Sequence, residues 1–258
     1  MNTGIQQNLF NSNEPQKTAD PACPVERLVN WTGTDCQLLH GDCLDKLQGV
    51  ETSTVDCIII DPPFSGNSSK AKAGKKGRFQ NSLIMYDDMT ERGFYLLMKP
   101  VFIECFRVLR EGGHFYCFTD WKQLRNMMDC MEMGSLKINN LVCWDKTHFG
   151  MGAGYRRQEE YIIVASKSHA KAFNLKNVAS VIQAKKVTPK NRLHPHEKPQ
   201  DLLRILVNNS TDEGQIVLDC FMGSGATGAA CKNLGRKFIG MELDKKYFDI
   251  ATKRIQSS

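Results

Sequence analysis

The run Val55-Asp56-Cys57-Ile58-Ile59-Ile60, halted by Asp61-Pro62-Pro63, constrains this chain more than any other stretch. A short apolar, β-branched run followed by turn residues reads as a buried strand. Two consecutive prolines supply no N–H, so the ladder stops at Asp61. The strand therefore delivers a carboxylate, two backbone carbonyls and the ring of Phe64 to one point at its carboxyl end. In open α/β sheets ligands bind outside that end. An acceptor cluster beside a π-face suits a planar ring carrying an exocyclic amine. The plain alternative is a strand that ends in a solvated Asp and a Pro-Pro turn.

Around this run, helix-like and strand-like segments alternate, which makes the class α/β. Strands are expected at 35–40, 114–119, 137–144, 160–165, 215–219 and 237–242. Helices are expected at 43–47, 121–133, 201–208, 229–234 and 245–255. A further helix starts at a Thr90 or Asp88 cap and runs to Arg110, kinked at Pro100 and ended by Gly112-Gly113. No periodicity stands out between Ala165 and His196. With 258 residues the chain can bury a substantial core. The polar opening, rich in Asn and Gln, predicts a mobile arm over 1–30 and a single main domain over 31–258. No stretch approaches the length of a membrane span, and the first residues lack a signal pattern. The ten cysteines form no C-x-x-C pair, and several lie in apolar runs. Reduced thiols in a cytoplasmic protein follow, with no metal site expected.

The net charge of +6 is informative once localised. Lys70, Lys72, Lys75, Lys76 and Arg78 crowd an acid-free, Gly/Ser-rich loop between Ser65 and Tyr86. A second acid-free segment, Tyr161 to His196, carries Lys185, Lys186, Lys190 and Arg192 among its bases. The remainder of the chain is net acidic. Two basic segments on an acidic body point to a polyanion partner, because neutralising phosphates favours binding. The bland reading is a pair of solvated loops. The loop from Asp145 to Glu159 adds Arg156 and Arg157 among three glycines.

Gly223-Ser224-Gly225-Ala226-Thr227-Gly228 matches G-x-G-x-x-G between a strand and a helix, and Glu242 ends the next strand. Such glycines allow close backbone approach to a ligand, and such an acid takes a ribose hydroxyl pair. A dinucleotide oxidoreductase is the obvious reading, but the chain ends sixteen residues after Glu242. The remaining strands of the sheet must come from upstream. Asp219, at the strand tip, sits badly against a pyrophosphate and well against an ammonium group. These features favour a nucleoside bearing a zwitterion, such as S-adenosylmethionine, over NAD.

Taken together, the motifs resemble those of the amino-group DNA methyltransferases in their permuted, β-class order, across roughly Cys36 to Ile255. Asp61-Pro62-Pro63-Phe64 resembles the catalytic tetrapeptide of that family. His194-Pro195-His196-Glu197-Lys198-Pro199 is similar to its H-P-x-x-K-P segment. Val217 to Gly225 resembles the cofactor motif, with Cys220 and Ala226 replacing commoner residues. The resemblance implies a doubly wound, Rossmann-like methyltransferase sheet, mostly parallel with one antiparallel edge strand. It implies that Asp219, Phe221, Gly223, Ser224, Gly225 and Thr227 shape the methionine side of an S-adenosylmethionine pocket, with Asp61 and Pro199 bordering it. Lys198 would reach the cofactor carboxylate, Glu242 the ribose, and Asp42 with Cys43 the adenine.

The resemblance further implies site-specific methylation of double-stranded DNA, with Asp61 and the Pro62 carbonyl accepting both hydrogens of a target amine. The base must leave the duplex to reach that point, and Phe64 would stack on it. An Asp at the first catalytic position leans toward the adenine N6 amine, with cytosine N4 as the rival. The basic residues of both loops would hold phosphates. Residues 145–196 would form a small DNA-recognition insertion. Family members often form homodimers.

Overall fold

β2 (Val55–Ile60) is buried at every residue, and its neighbours explain why. In the computed structural model, which describes residues 35–63, 91–188 and 190–258, β2 lies between β3 (Leu109–Thr119) and β7 (Ile216–Asp219). It pairs in parallel with both. β8 (Lys237–Glu242) and β1 (Cys36–His40) extend the sheet in parallel beyond β7. On the other side β5 (Glu159–Ser166) runs antiparallel to β3, followed by β4 (Lys137–Asp145) and the three-residue β6 (Val181–Gln183). The strand order among the described residues is β1-β8-β7-β2-β3-β5-β4-β6. The single antiparallel strand is present but not at the edge, because β4 and β6 cover it.

Successive strand residues point to opposite faces, and both faces are covered. Ile58, Ile60, Phe115, Cys117, Ile163 and Leu218 pack on one side with α1 (Cys43–Gln48), α2 (Glu91–Val108) and α3 (Leu124–Met133). Cys57, Ile59, Tyr116, Phe118, Ile162 and Val217 pack on the other with α4 (Gln200–Ser210), α5 (Ala226–Asn233) and α6 (Lys245–Ser257). This two-sided burial is why β2 reads as a continuous apolar run. The cysteines among the described residues are all free, and most are buried as small apolar groups.

Some boundaries differ from those read in the sequence. Helix α2 ends at Val108, and β3 starts at once with Leu109. Gly112-Gly113 therefore does not terminate a helix; it lies in a bulge, since Leu109 faces Val55 while His114 faces Cys57. The buried Asp56 carboxylate holds this irregular end together. It accepts from Arg110 Nη1 at 2.7 Å and from the Ile216 amide at 2.9 Å, joining β2, β3 and β7. α3 begins at Leu124, after a turn in which Asp120 Oδ1 accepts from the amides of Lys122 and Gln123.

The acid-free segment also proves more structural than its charge implied. Lys167 is buried and donates to Leu109 O and Ser53 Oγ. Phe173 stacks on His114 with ring centroids 4.1 Å apart, and the Asn174 amide satisfies the end of α4 through Asn208 O and Thr211 O. Residues 145–196 thus supply two strands of the sheet as well as loops. No helix among the described residues is long and apolar enough to cross a membrane.

Candidate active site

Because β1, β8, β7, β2 and β3 are parallel, their carboxyl ends share one edge of the sheet. That edge carries Asp42, Asp61, Asp120, Asp219 and Glu242. β4 points the same way, being antiparallel to β5, so Asp145 and the loop after it emerge there too.

Asp61 stops β2 as its two prolines require. Its Oδ2 lies 2.7 Å from Lys198 Nζ, while its Oδ1 is buried with no hydrogen-bond partner among the described residues. Lys198 also lies 3.1 Å from Glu160 Oε2, and Lys146 approaches Glu160 Oε1 at 3.0 Å. The result is a chain of alternating charges, Asp61–Lys198–Glu160–Lys146, walled by aromatic rings. Lys198 Nζ is 4.9 Å from the centroid of Phe118, and Lys146 Nζ is 5.5 Å from that of Trp144. Burial alone would raise the Glu160 carboxyl, but the Lys198 and Lys146 ammonium groups outweigh it and bring its pKa to about 2. Burial likewise opposes the charge on Lys198, and the two carboxylates override it and hold its pKa above the ordinary lysine value. Burial pushes the Asp61 carboxyl upward against the pull of Lys198. The Lys198 ammonium, expected at a cofactor carboxylate, is therefore engaged with Asp61 and Glu160. Glu160 itself was not foreseen. Its only sequence signal was an acid at the start of a strand otherwise apolar to Ala165, and Glu159 beside it gave the same signal.

The glycine-rich turn builds the neighbouring recess. Asp219 Oδ1 accepts from the Phe221 amide at 3.0 Å, and its Oδ2 accepts from Thr227 Oγ1 at 2.7 Å. Burial raises the Asp219 carboxyl to about 7, with those two bonds resisting the shift. Glu242 takes the Gly223 amide on Oε2 at 2.9 Å and the Asp244 amide on Oε1 at 2.8 Å. Each oxygen keeps a lone pair for another donor. Gly225 has φ 74°, and a Cβ there would lie 2.9 Å from that of Ala251, so only glycine fits between turn and α6 without strain. Ser224 is buried, 3.4 Å from Arg254 Nη1.

The His194–Pro199 segment folds over this turn. The His194 ring lies 4.4 Å from that of Tyr247, edge to face, and 3.5 Å from where a Gly223 Cβ would sit. Glu197 ties the segment to α6 through Arg254 at 2.9 Å. The buried Pro199 caps α4, and Gln200 reaches Ala226 O at 2.7 Å. Burial lowers the His194 imidazole to about 3, so it is neutral. Among the described residues no group of three or more His, Cys, Asp or Glu could hold a metal ion.

Asp42 Oδ1 caps α1 at the Leu44 amide, 2.8 Å away, and Gly41 N donates to Glu242 O, which brings the two acids to adjacent strand tips. Cys43 is buried beneath them. Phe64, Lys70, Lys72, Lys75, Lys76 and Arg78 lie outside the described residues. Arg156 and Arg157 are exposed on the β4–β5 loop, and Lys185, Lys186 and Lys190 are exposed after β6. Although largely exposed, Lys186 is drawn below its ordinary value by partial burial and then by the charge of Lys146. Arg192 differs from the expectation for a phosphate contact: its guanidinium donates to Pro195 O at 2.8 Å and Val187 O at 3.2 Å, pinning its own loop.

A doubly wound sheet with a glycine-rich turn, a carboxylate ending the next strand and a second, partly buried carboxylate two strands away fits a nucleoside-dependent transferase of the methyltransferase class. The N6/N4 methyltransferase family, described as DNA methylase, matches residues 55–253, and the chain belongs to that family. The Type II methyltransferase M.HinfI of Haemophilus influenzae is 29% identical over 253 residues, covering 85% of this chain and 68% of its own. M.HpaI of Haemophilus parainfluenzae is 27% identical, covering 86% and 75%. Among solved structures, the M1.HpyAVI–SAM complex superposes with a TM-score of 0.66 at 26% identity, over 85% of this chain and 98% of that one. The cytosine-N4-specific PvuII DNA methyltransferase shares the fold with a TM-score of 0.67 at 14% identity, each chain covered to 86%.

Proposed function

We propose that this DNA methylase transfers a methyl group from S-adenosylmethionine to the exocyclic N6 amine of adenine at a specific site in double-stranded DNA. The observation that carries the amine-transfer reading is the buried Oδ1 of Asp61, which has no hydrogen-bond partner among the described residues; an Asp at this position favours adenine over cytosine. A buried acceptor left unsatisfied costs free energy, on the order of 1–3 kcal/mol, and an amine hydrogen satisfies it. With Oδ2 held by Lys198, only Oδ1 is available, and the adjoining Pro62 carbonyl takes the second hydrogen, Pro63 stiffening the turn.

The recess beside Asp61 fits the cofactor. Glu242 retains acceptor capacity for ribose hydroxyls. Asp219 is a buried carboxyl whose raised pKa a nearby cation would relieve. Phe221, Gly223, Ser224, Gly225 and Thr227 build the turn around it, Asp42 and Cys43 stand at the adjacent strand tip, and His194 to Pro199 form the roof. When bound, the cofactor supplies an electrophilic sulfonium methyl. The protein supplies position: Asp61 and Pro62 orient the amine so that its lone pair, otherwise delocalised into the ring, points at the methyl carbon. Methyl transfer would break the methyl–sulfur bond, its electron pair passing to sulfur and leaving a neutral thioether, while the proton released from the amine would leave by way of the Asp61 carboxylate.

Phosphates are held by Arg156, Arg157, Lys185, Lys186 and Lys190, so the recognition elements within 145–196 are its loops. The test is incubation of purified protein with labelled S-adenosylmethionine and unmodified duplex DNA, followed by sequencing for modified bases. Label on adenine N6 that Asp61→Ala abolishes is the expected result. Label on cytosine N4 would overturn the choice of base, and no label in DNA would overturn the reading.

A further inference from the structure

The loop between β4 and β5 has a construction that phosphate binding does not require. Its base is rigid. Asp145 Oδ1 accepts from the Thr147 amide at 2.8 Å and from Gln158 Nε2 at 2.7 Å, and Oδ2 accepts from Gln183 Nε2 at 3.0 Å. The two limbs stay paired above that point, through Lys146 N to Gln158 O at 2.9 Å and Gly150 N to Arg157 O at 2.7 Å. The arginines brace it from the sides. Arg156 donates from Nε to Gly150 O at 2.8 Å while its guanidinium lies 4.0 Å from the Phe149 ring centroid. Arg157 lies 5.1 Å from the Trp121 ring and 4.0 Å from the Asp120 carboxylate.

The tip, by contrast, stands clear of the other described residues. Met151 is 99% exposed and Tyr155 fully so, and a Cβ built at Gly152 or Gly154 meets no atom within 4 Å. A preformed hairpin thus holds two large apolar side chains out in water. It springs from the same sheet edge as Asp61, and Lys146 at its base is the last member of the Asp61–Lys198–Glu160–Lys146 chain.

We propose that this tip is a wedge for the DNA base stack, with Met151 and Tyr155 entering the space vacated by the target base. The proposal rests on the DNA methylase reading above. Extruding a base leaves a gap between its neighbours, and apolar side chains inserted between base steps are a general means of stabilising an opened duplex. Flanking arginines suit the charge of the phosphates on either side of such a gap. A wedge must already be rigid and desolvation-ready when the duplex arrives, which the paired limbs and bare tip provide. Phe149 and Trp121, each half-exposed beneath an arginine, form the shoulders that stop the loop at the groove.

The test compares Met151→Ser/Tyr155→Ser with the wild-type protein on two substrates containing the methylated site. One is fully paired; in the other an abasic residue stands opposite the target base, so extrusion is already eased. The expected result is a loss of about ten-fold or more on the paired duplex, recovered on the abasic-opposed duplex, with an unchanged melting temperature. An equal loss on both substrates, or no loss on either, overturns the wedge. So does a change in oligomeric state accounting for the loss, since the tip would then be a protein contact. Wild-type protein inactive on both substrates would instead overturn the methylase reading. Arg156→Ala serves as the contrast, because weakening a brace and a phosphate contact lowers activity on both substrates alike.

Discussion

Lys198 Nζ meets Asp61 Oδ2 at 2.7 Å, and the same ammonium reaches Glu160 at 3.1 Å. One buried cation thus fixes the carboxylate that ends β2 and links it to β5 on the far side of β3. Asp61 is left with one oxygen paired and one buried without a hydrogen-bond partner among the described residues, so the ion pair decides which oxygen is open to a further donor.

Replacing Lys198 with Met therefore has a distinctive signature. If Lys198 orients Asp61, single-turnover methylation falls by about 100-fold while the dissociation constant for S-adenosylmethionine changes little. A grip on the cofactor carboxylate would instead show mainly in that constant. Removing the shared cation also leaves two carboxylates facing each other, and a destabilisation of about 3 kcal/mol at neutral pH is expected in denaturant titration.

Glu160→Gln separates stability from chemistry through pH. The folded pKa of about 2 lies below the ordinary glutamate value. Its contribution is fully present above about pH 4.5 and is lost as pH falls toward 2, on the order of 2–3 kcal/mol. Wild-type protein should lose more stability than Glu160→Gln between pH 4.5 and 2.5 in matched urea titrations. At neutral pH the variant should methylate about ten-fold more slowly, because Lys198 loses one of its two anchors.

Asp219 has the opposite sign. Its folded pKa is raised to about 7, so the folded state holds a proton that the unfolded state releases, and stability declines as pH rises from about 4 through 7. Asp219→Asn, which keeps the shape, should melt higher than wild type at pH 8 and show no such advantage at pH 4. A cationic cofactor favours ionised Asp219, so S-adenosylmethionine affinity in the wild type should rise with pH up to about 7 and level off. Calorimetry in buffers of different ionisation enthalpy would detect the proton released on binding; its absence would refute the coupling.

Gly225→Ala tests the packing of turn against helix. The positive φ and the 2.9 Å approach to Ala251 make a methyl group there both strained and crowded. A destabilisation of about 1–3 kcal/mol is expected. Thermal melts together with the cofactor dissociation constant would check it, and Ala251→Gly should recover part of the loss by removing the crowding.

The sequence by itself determined the skeleton of this protein. β2 and β8 fall at the residues their apolar runs predicted, because a strand covered on both faces needs apolar residues on both and its ends need breakers. The Asp61 stop, the glycine-rich turn and the Glu242 tip are similarly local, being dictated by proline, by φ and by strand polarity. Where local signals conflicted, the reading went astray. Gly112-Gly113 resembled a helix terminator and is a strand bulge, and β6 is too short to announce itself. The antiparallel strand was foreseen, but its cover by β4 and β6 was not. Only the tertiary structure decided the partners of the charged groups. Charge along a chain does not reveal whether Lys167 is buried, whether Arg192 turns back on its own loop, or which acid Lys198 meets. Those pairings join residues far apart in sequence, and burial sets their strength. The charge setting of Asp61 thus runs through Lys198 to Glu160 and Lys146, which only the fold brings together.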